Sequence, residues 1–306
     1  MNKWCYFIIV RYGNPNFIIK KKRKAFKMKK ILALVLALAM VFALCACGKT
    51  TSAPSGDNKY NTVVPGKLTV ATSPDFAPYE FYAIEKDGTP QLAGFDVALA
   101  GYIADYLGLE LDIIPMDFDG VLNELAAGAV DIGLAGLSPD PDRMDSMDFS
   151  DIYYLGGQSF VTVKDKASVF TSLDDANKAE YEIGAQNGSI QYKLAEENTP
   201  DADIVVLTKV TDIIAELLSG KLDGAFIETA VAEAYAKNYP DLAIVLDVPY
   251  DVAGSAVGVN KGNDALLAGV NEAIAAVLKD GSMDQFVADA NDLSSGEIYE
   301  GLLEDK

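Results

Sequence analysis

From position 67 onward the apolar residues fall into short strand-like runs and longer helix-like runs that take turns. Lys67–Thr72 (KLTVAT) alternates polar and apolar positions, as a half-buried strand does. Phe95–Leu107 repeats its apolar residues at three- and four-residue intervals and stops at Gly108, a predicted helix with its terminator. Leu109–Pro115 reads as a strand, Phe118–Ala127 as a helix and Val130–Leu134 as a short buried strand. The pattern then returns. Strands are predicted at Tyr181–Ala185, Ile204–Leu207, Gly224–Ile227 and Ala243–Leu246, and helices at Ile190–Glu197, Asp212–Leu218 and Ala230–Ala236. Two further helices, Ala265–Leu278 and Met283–Asp289, close the chain. Such alternation predicts an α/β protein with mostly parallel sheets.

One internal repeat sharpens this. Glu124–Gly136 reads ELAAGAVDIGLAG and Glu216–Glu228 reads ELLSGKLDGAFIE. Each is a helix end, a glycine, a turn, a Val/Leu-Asp step and a strand. Two such units predict two similar lobes. Gly136 and Glu228 then sit at the carboxyl ends of equivalent strands, where open α/β sheets bind ligands.

The first 66 residues behave differently. Lys27, Lys29 and Lys30 precede an unbroken apolar run, Ile31–Leu44, too short at 14 residues to span a bilayer but suited to a secretory signal. It ends in Leu44-Cys45-Ala46-Cys47-Gly48, which resembles a bacterial lipobox with Cys47 as the lipidated residue. Residues 1–27 fit no signal peptide and are expected to be upstream sequence ahead of a start at Met28. Residues 28–46 are then the lipoprotein signal peptide. Residues 47–65, rich in Thr, Ser, Pro, Asn and Gly, form a flexible tether. The product is expected to be secreted and held by lipid on the outer face of the cell membrane.

Composition removes whole classes of chemistry. There is no histidine, and the only cysteines are Cys5, Cys45 and Cys47. That excludes Ser-His and Cys-His catalysis, His-dependent metal sites and any disulfide beyond Cys47. No metal and no cofactor is expected. Residues 47–306 carry 15 basic and 45 acidic side chains, which repels nucleic acid. Among those 15 basic residues there is one arginine, Arg143. A guanidinium grips a carboxylate with two parallel hydrogen bonds, so a lone arginine points to such a site. It follows Asp140-Pro141, a cap and first-position pair that predicts a helix start beside a strand end. The composition leaves two readings open: a cleft arginine, or a surface one paired with Asp140 or Asp142.

Residues 67 to about 290 resemble the polar amino-acid family of bacterial extracellular solute-binding proteins, family 3. The resemblance rests on KLTVATSPDFAPYEF, on GFDVALAGYIADYLGLELDIIPMDFDGVLNELAAGAVDIGLAGLS, on MDFSDIYY and on LLAGVNEAIAAVLKDGSMDQF. It implies a type II periplasmic-binding-protein-like fold of two lobes. Residues 66–158 and 254–306 form lobe 1 and residues 159–253 form lobe 2, with hinge strands near Gly157–Val163 and Ala253–Val259. It also implies roles. Phe76 and Phe118 match the aromatic walls of the ligand site, with Ala135 beside them. Gly136 and Ser138 match positions that meet the ligand ammonium and its neighbours. Arg143 matches the arginine that binds the α-carboxylate. The turn ending in Ser189 and Ile190 matches the amide-rich loop facing that carboxylate, and Glu228 the acid that binds the α-ammonium. Ser73 stands where relatives that bind cationic amino acids carry an acid, and Phe76, Phe118, Ala135 and Ile190 favour a neutral or aromatic ligand side chain. The function implied is ligand capture by lobe closure and delivery to an ABC permease, by a monomer without enzymatic activity. The alternatives on this fold are a sensing module for a membrane receptor and, less favoured, a dehydratase.

Overall fold

The computed structural model describes residues 58–84, 87–252 and 254–295. Cys47, the signal segment and the upstream stretch lie outside the described residues. The described residues form one compact unit. It holds two five-stranded sheets of matching design.

The first sheet contains β1 (Lys67–Thr72), β5 (Glu110–Pro115), β6 (Ile132–Gly133), β7 (Met147–Tyr154) and β13 (Ser255–Asn260), in the order β5-β1-β6-β13-β7. β1 pairs in parallel with β5 and β6, while β13 runs against β6 and β7. The second sheet contains β8 (Gln158–Val163), β9 (Glu182–Gln186), β10 (Asp203–Leu207), β11 (Gly224–Glu228) and β12 (Leu242–Val248), in the order β10-β9-β11-β8-β12. β9 pairs in parallel with β10 and β11, and β8 runs against β11 and β12. In each sheet one strand opposes the other four, and that strand arrives from the other half of the chain. The strands that end the repeated motif, β6 and β11, hold the same third place in both orders.

Helices cover the sheets, as parallel strands buried on both faces require. α1 (Phe95–Leu107), α2 (Phe118–Ala126), α7 (Asp264–Asp280) and α8 (Ser282–Ser294) belong to lobe 1. α4 (Ile190–Asn198), α5 (Val210–Ser219), α6 (Thr229–Asn238) and the single turn α3 (Leu173–Ala176) belong to lobe 2. Gly108 ends α1 in the left-handed conformation at φ +70°, as its place in the sequence predicted. Leu99, Ile103, Val270 and Ile274 of α1 and α7 bury completely or nearly so against Leu68 and Val70 of β1.

Two features depart from the sequence reading. A small antiparallel sheet of β2 (Asp75–Phe76), β3 (Glu80–Ile84) and β4 (Pro90–Ala93) lies between β1 and α1, where no strand was predicted. The ranges expected to hold hinge strands coincide with β8 and β13, each paired inside a sheet. The last part of the expected tether is not free. Val63 donates its N–H to Asp131 Oδ1 at 2.7 Å, Asn263 Nδ2 donates to the Tyr60 carbonyl at 2.9 Å, and Thr62 is buried. The buried Asp131 carboxylate gathers donors here, so residues 60–63 dock on lobe 1 although their composition is that of a linker.

Candidate functional site

Gly136 and Glu228, the last residues of the two repeated units, line one cavity of about 220 Å³ together with Ser138, Gln158, Tyr250 and Ser255. Glu228 ends β11 and caps α6, its Oε2 accepting the Val231 N–H at 2.9 Å. Its Oε1 is buried without a well-formed hydrogen bond, with the Tyr79 hydroxyl as its near neighbour. Burial pushes this carboxyl up to about 7, against the pull of the Val231 N–H and Tyr79. A buried carboxyl whose free oxygen faces the cavity is suited to receive a cation.

Arg143 supplies the opposite charge. The helix expected after Asp140 is a single 3-10 turn, Pro141–Arg143, capped by Asp140 through the Asp142 N–H at 2.8 Å. The Arg143 Nη1 donates to the Ser138 carbonyl and Nη2 to the Gly188 carbonyl of lobe 2, both at 3.1 Å. The guanidinium stands over the Phe118 ring, 5.7 Å from its centroid. No carboxylate among the described residues lies within 4 Å of it. Asp140 and Asp142 are instead bound to Lys193 of α4, at 3.2 and 2.8 Å. Arg143 is therefore not ion-paired with either aspartate in this structure. Burial pushes the guanidinium pKa down, while Asp140 and Tyr250 work against that shift, and arginine stays a cation regardless.

The remaining sequence-derived residues divide. Phe76 packs its ring so close to Gly136 that a Cβ there would lie 2.7 Å from the ring, and Gly136 has φ +56°. Ala135 is buried in the cluster that holds Phe118 and Leu137. Ser189 caps α4 by accepting the Tyr192 N–H at 3.1 Å and donates its own hydroxyl to the Gln186 carbonyl at 2.8 Å. Ser73 is buried and its hydroxyl is used by Asp75 Oδ1 at 2.9 Å. Ile190 turns its side chain into the lobe 2 core with Phe160 and Leu194, so what it can offer a ligand is its backbone N–H.

Sequence reasoning missed Asp75, Gln158 and Tyr250. Asp75 Oδ2 accepts the Val210 N–H at 2.6 Å and the Gln186 Nε2 at 3.2 Å, joining lobe 1 to two elements of lobe 2. Gln158 stands opposite Glu228 in the β8–β11 ladder, and its Oε1 accepts from Gln191 at 2.8 Å. Tyr250 lies between β12 and β13 and reaches Asp140 Oδ2 at 3.4 Å. The signal for Gln158 was its place after Gly156-Gly157, but its register with Glu228 exists only once the strands pair.

With this geometry in view, comparison with known proteins gives a consistent answer. Residues 68–289 match the family of bacterial extracellular solute-binding proteins, family 3. The chain belongs to this family. It is 35% identical over 241 residues to the arginine-binding extracellular protein ArtP of Bacillus subtilis (strain 168), covering 78% of this chain and 88% of that protein. The amino acid ABC transporter substrate-binding protein AbpA of Streptococcus pneumoniae, solved bound to L-arginine, superposes with a TM-score of 0.73 at 34% identity, over 76% of this chain and 97% of that one. A cyclohexadienyl dehydratase of Pseudomonas aeruginosa is 28% identical over 62% of this chain and 70% of that protein. The family member described here is thus an extracellular substrate-binding protein of the amino-acid ABC transporter kind, with the two-lobed type II fold.

Proposed function

We propose that the protein captures a free L-amino acid between its lobes, holding the α-carboxylate at Arg143 and the α-ammonium at Glu228, and delivers it to a membrane permease. One observation carries this reading. Glu228, with a buried oxygen that lacks a well-formed hydrogen bond, lines the cavity, and the guanidinium of Arg143, which has no carboxylate partner, is held next to it on the carbonyl of the lining residue Ser138; the two charges complement a zwitterion. Gly136, Ser138 and the Gly188-Ser189 turn supply the surrounding polar contacts. Anchoring through Cys47 would keep the receptor beside its permease.

For the ligand side chain the balance favours a cation, with L-arginine first. Glu228 is the charged side chain that lines the cavity, whereas Lys193 is taken up by two aspartates and Arg143 by the head group. Proteins similar to this chain are named for arginine or were solved with it. The walls Phe76 and Phe118 equally suit the neutral or aromatic side chain expected from the sequence, which makes that the second reading.

A thermal melt against a panel of amino acids tests both. A ligand at 100 times its Kd adds about 2.7 kcal/mol, which at roughly 2–4 °C per kcal/mol is a plain shift. Arginine is expected to give the largest shift, and a larger one from phenylalanine or glutamine would select the second reading. Arg143→Ala removes one partner of a desolvated charge pair, so a loss of about 2–5 kcal/mol in binding is expected. Affinity retained within a few-fold would place the carboxylate elsewhere. The dehydratase reading would require product formation from a cyclohexadienyl acid, with Glu228 or Asp140 as the acid.

A further inference from the structure

Behind Gly136 lie two acids that the binding reading does not use. Glu80 and Asp96 are both completely buried. Their segments run side by side, with the Asp96 N–H donating to the Tyr79 carbonyl at 2.9 Å and Gly94 pressed onto the backbone of Tyr79 and Glu80. Asp96 Oδ2 is well served, accepting the Gly136 N–H and the Tyr153 hydroxyl, each at 3.0 Å. The other three carboxyl oxygens, Asp96 Oδ1 and both oxygens of Glu80, receive no N–H or O–H from any described residue. No lysine or arginine among the described residues pairs with either acid. The ionisable groups that face them are Asp75, Tyr79 and Tyr153, none of them a cation.

Two ionised carboxylates cannot be buried together with three bare oxygens and no cation. A proton retained between the two acids themselves would supply the missing donor. We propose that Glu80 is a neutral carboxylic acid that donates its proton to Asp96, and that the pair acts as a positioning device holding Gly136 in its left-handed conformation at the ligand cavity. Asp96 keeps the single negative charge, fixes the Gly136 N–H and so sets the direction of the Gly136 carbonyl. Phe76 closes the other side, where a Cβ would collide with its ring. The electrostatics agree: burial first, then the charge of Asp96, holds the Glu80 carboxyl far above its ordinary range, while Asp96 rises only to about 6. Glu80 and Asp96 touch no ligand on this account. They act through Gly136, and this functional consequence rests on the amino-acid reading above.

Glu80→Gln tests the proton directly, because glutamine keeps a donor where the acid is neutral and cannot replace an ionised one. In the full chain, E80Q is expected to bind the ligand found for wild type within about two-fold at pH 7, and E80A at least ten-fold more weakly. The ratio of wild-type to E80Q dissociation constants is expected to climb as pH rises above 8, since only wild type can lose that proton; the ratio cancels the titration of the ligand amine. Infrared spectroscopy gives a second readout independent of binding. At pH 8 the carbonyl band of a buried neutral carboxylic acid is expected in wild type and should vanish in E80Q. E80Q binding as poorly as E80A, or a band unchanged in E80Q, would overturn the proposal. If wild type bound no amino acid at all, the ligand reading would fail, and the infrared band would still decide whether the shared proton exists.

Discussion

Gly136 concentrates much of the site in one residue. Its φ of +56° is costly for any residue with a Cβ, and its missing Cβ is where the Phe76 ring sits, 2.7 Å from where that atom would be. Gly136→Ala is therefore expected to destabilise the protein by about 2 kcal/mol or more, from roughly 1–2 kcal/mol of backbone strain plus displacement of the ring. The melting temperature should fall by several degrees and ligand affinity should fall with it. An alanine variant with unchanged melting would mean that the loop relaxes freely and that Phe76 is not held there. The place of Gly136 beside the cavity was legible from the repeat alone. That of Asp75 was not, because an acid in a polar motif reads as a solvated one. Only the fold shows it buried, with its carboxyl pushed up to about 6 by burial and held from going higher by the Val210 N–H and the Ser73 hydroxyl.

Among the elements, those with strong local periodicity were the readable ones. α1 and β1 match their predicted bounds, and most other predicted strands and helices are off by one or two residues at the ends. What the pattern could not supply is partners remote in sequence. The β2–β4 sheet is made of two- to five-residue pieces, too short for any period, and β8 and β13 are defined by pairing with strands from the opposite end of their lobe. The first turn of α5 is another such case. Lys209 precedes it without a side-chain cap, and the cap comes from Asp75 of the other lobe. A helix cap is worth about 0.5–2 kcal/mol, and this one forms only when the lobes meet. Asp75→Ala is accordingly expected to weaken ligand binding about three- to ten-fold while leaving the ligand-free melting temperature nearly unchanged. Small-angle scattering should show a smaller closed fraction at equal ligand occupancy. Equal losses of stability with and without ligand would make Asp75 an ordinary core residue and not a closing contact.

For the whole molecule, the buried acids set how stability and binding respond to pH. Asp75 and Asp96 are raised to about 6 and Glu228 to about 7, each chiefly by burial, and Glu80 is raised further. A carboxyl whose folded pKa exceeds its unfolded value binds protons more tightly in the native state. Its contribution is full below the unfolded value and is lost as pH rises through the folded one. Through Glu80 and Asp96, which are buried within lobe 1 whether or not the lobes meet, the ligand-free protein should thus be more stable near pH 5 than at pH 8. Below about pH 4 the trend reverses, because Asp148, held down first by Lys261, and Asp175, held down first by the Thr171 hydroxyl, lose their partners when protonated. Binding should run the other way. An ammonium placed on Glu228 favours the ionised carboxylate and pulls its pKa below 7, so capture at neutral pH must release part of a proton. Affinity is expected to rise with pH up to about 7 and to level off beyond it, with Glu228→Gln flattening the curve. Calorimetry in two buffers of different ionisation enthalpy measures the released proton. Identical heats in both buffers would mean that Glu228 keeps its protonation state, that the ammonium is held elsewhere, and that the match between the two repeated units ends at the strands and does not reach the ligand.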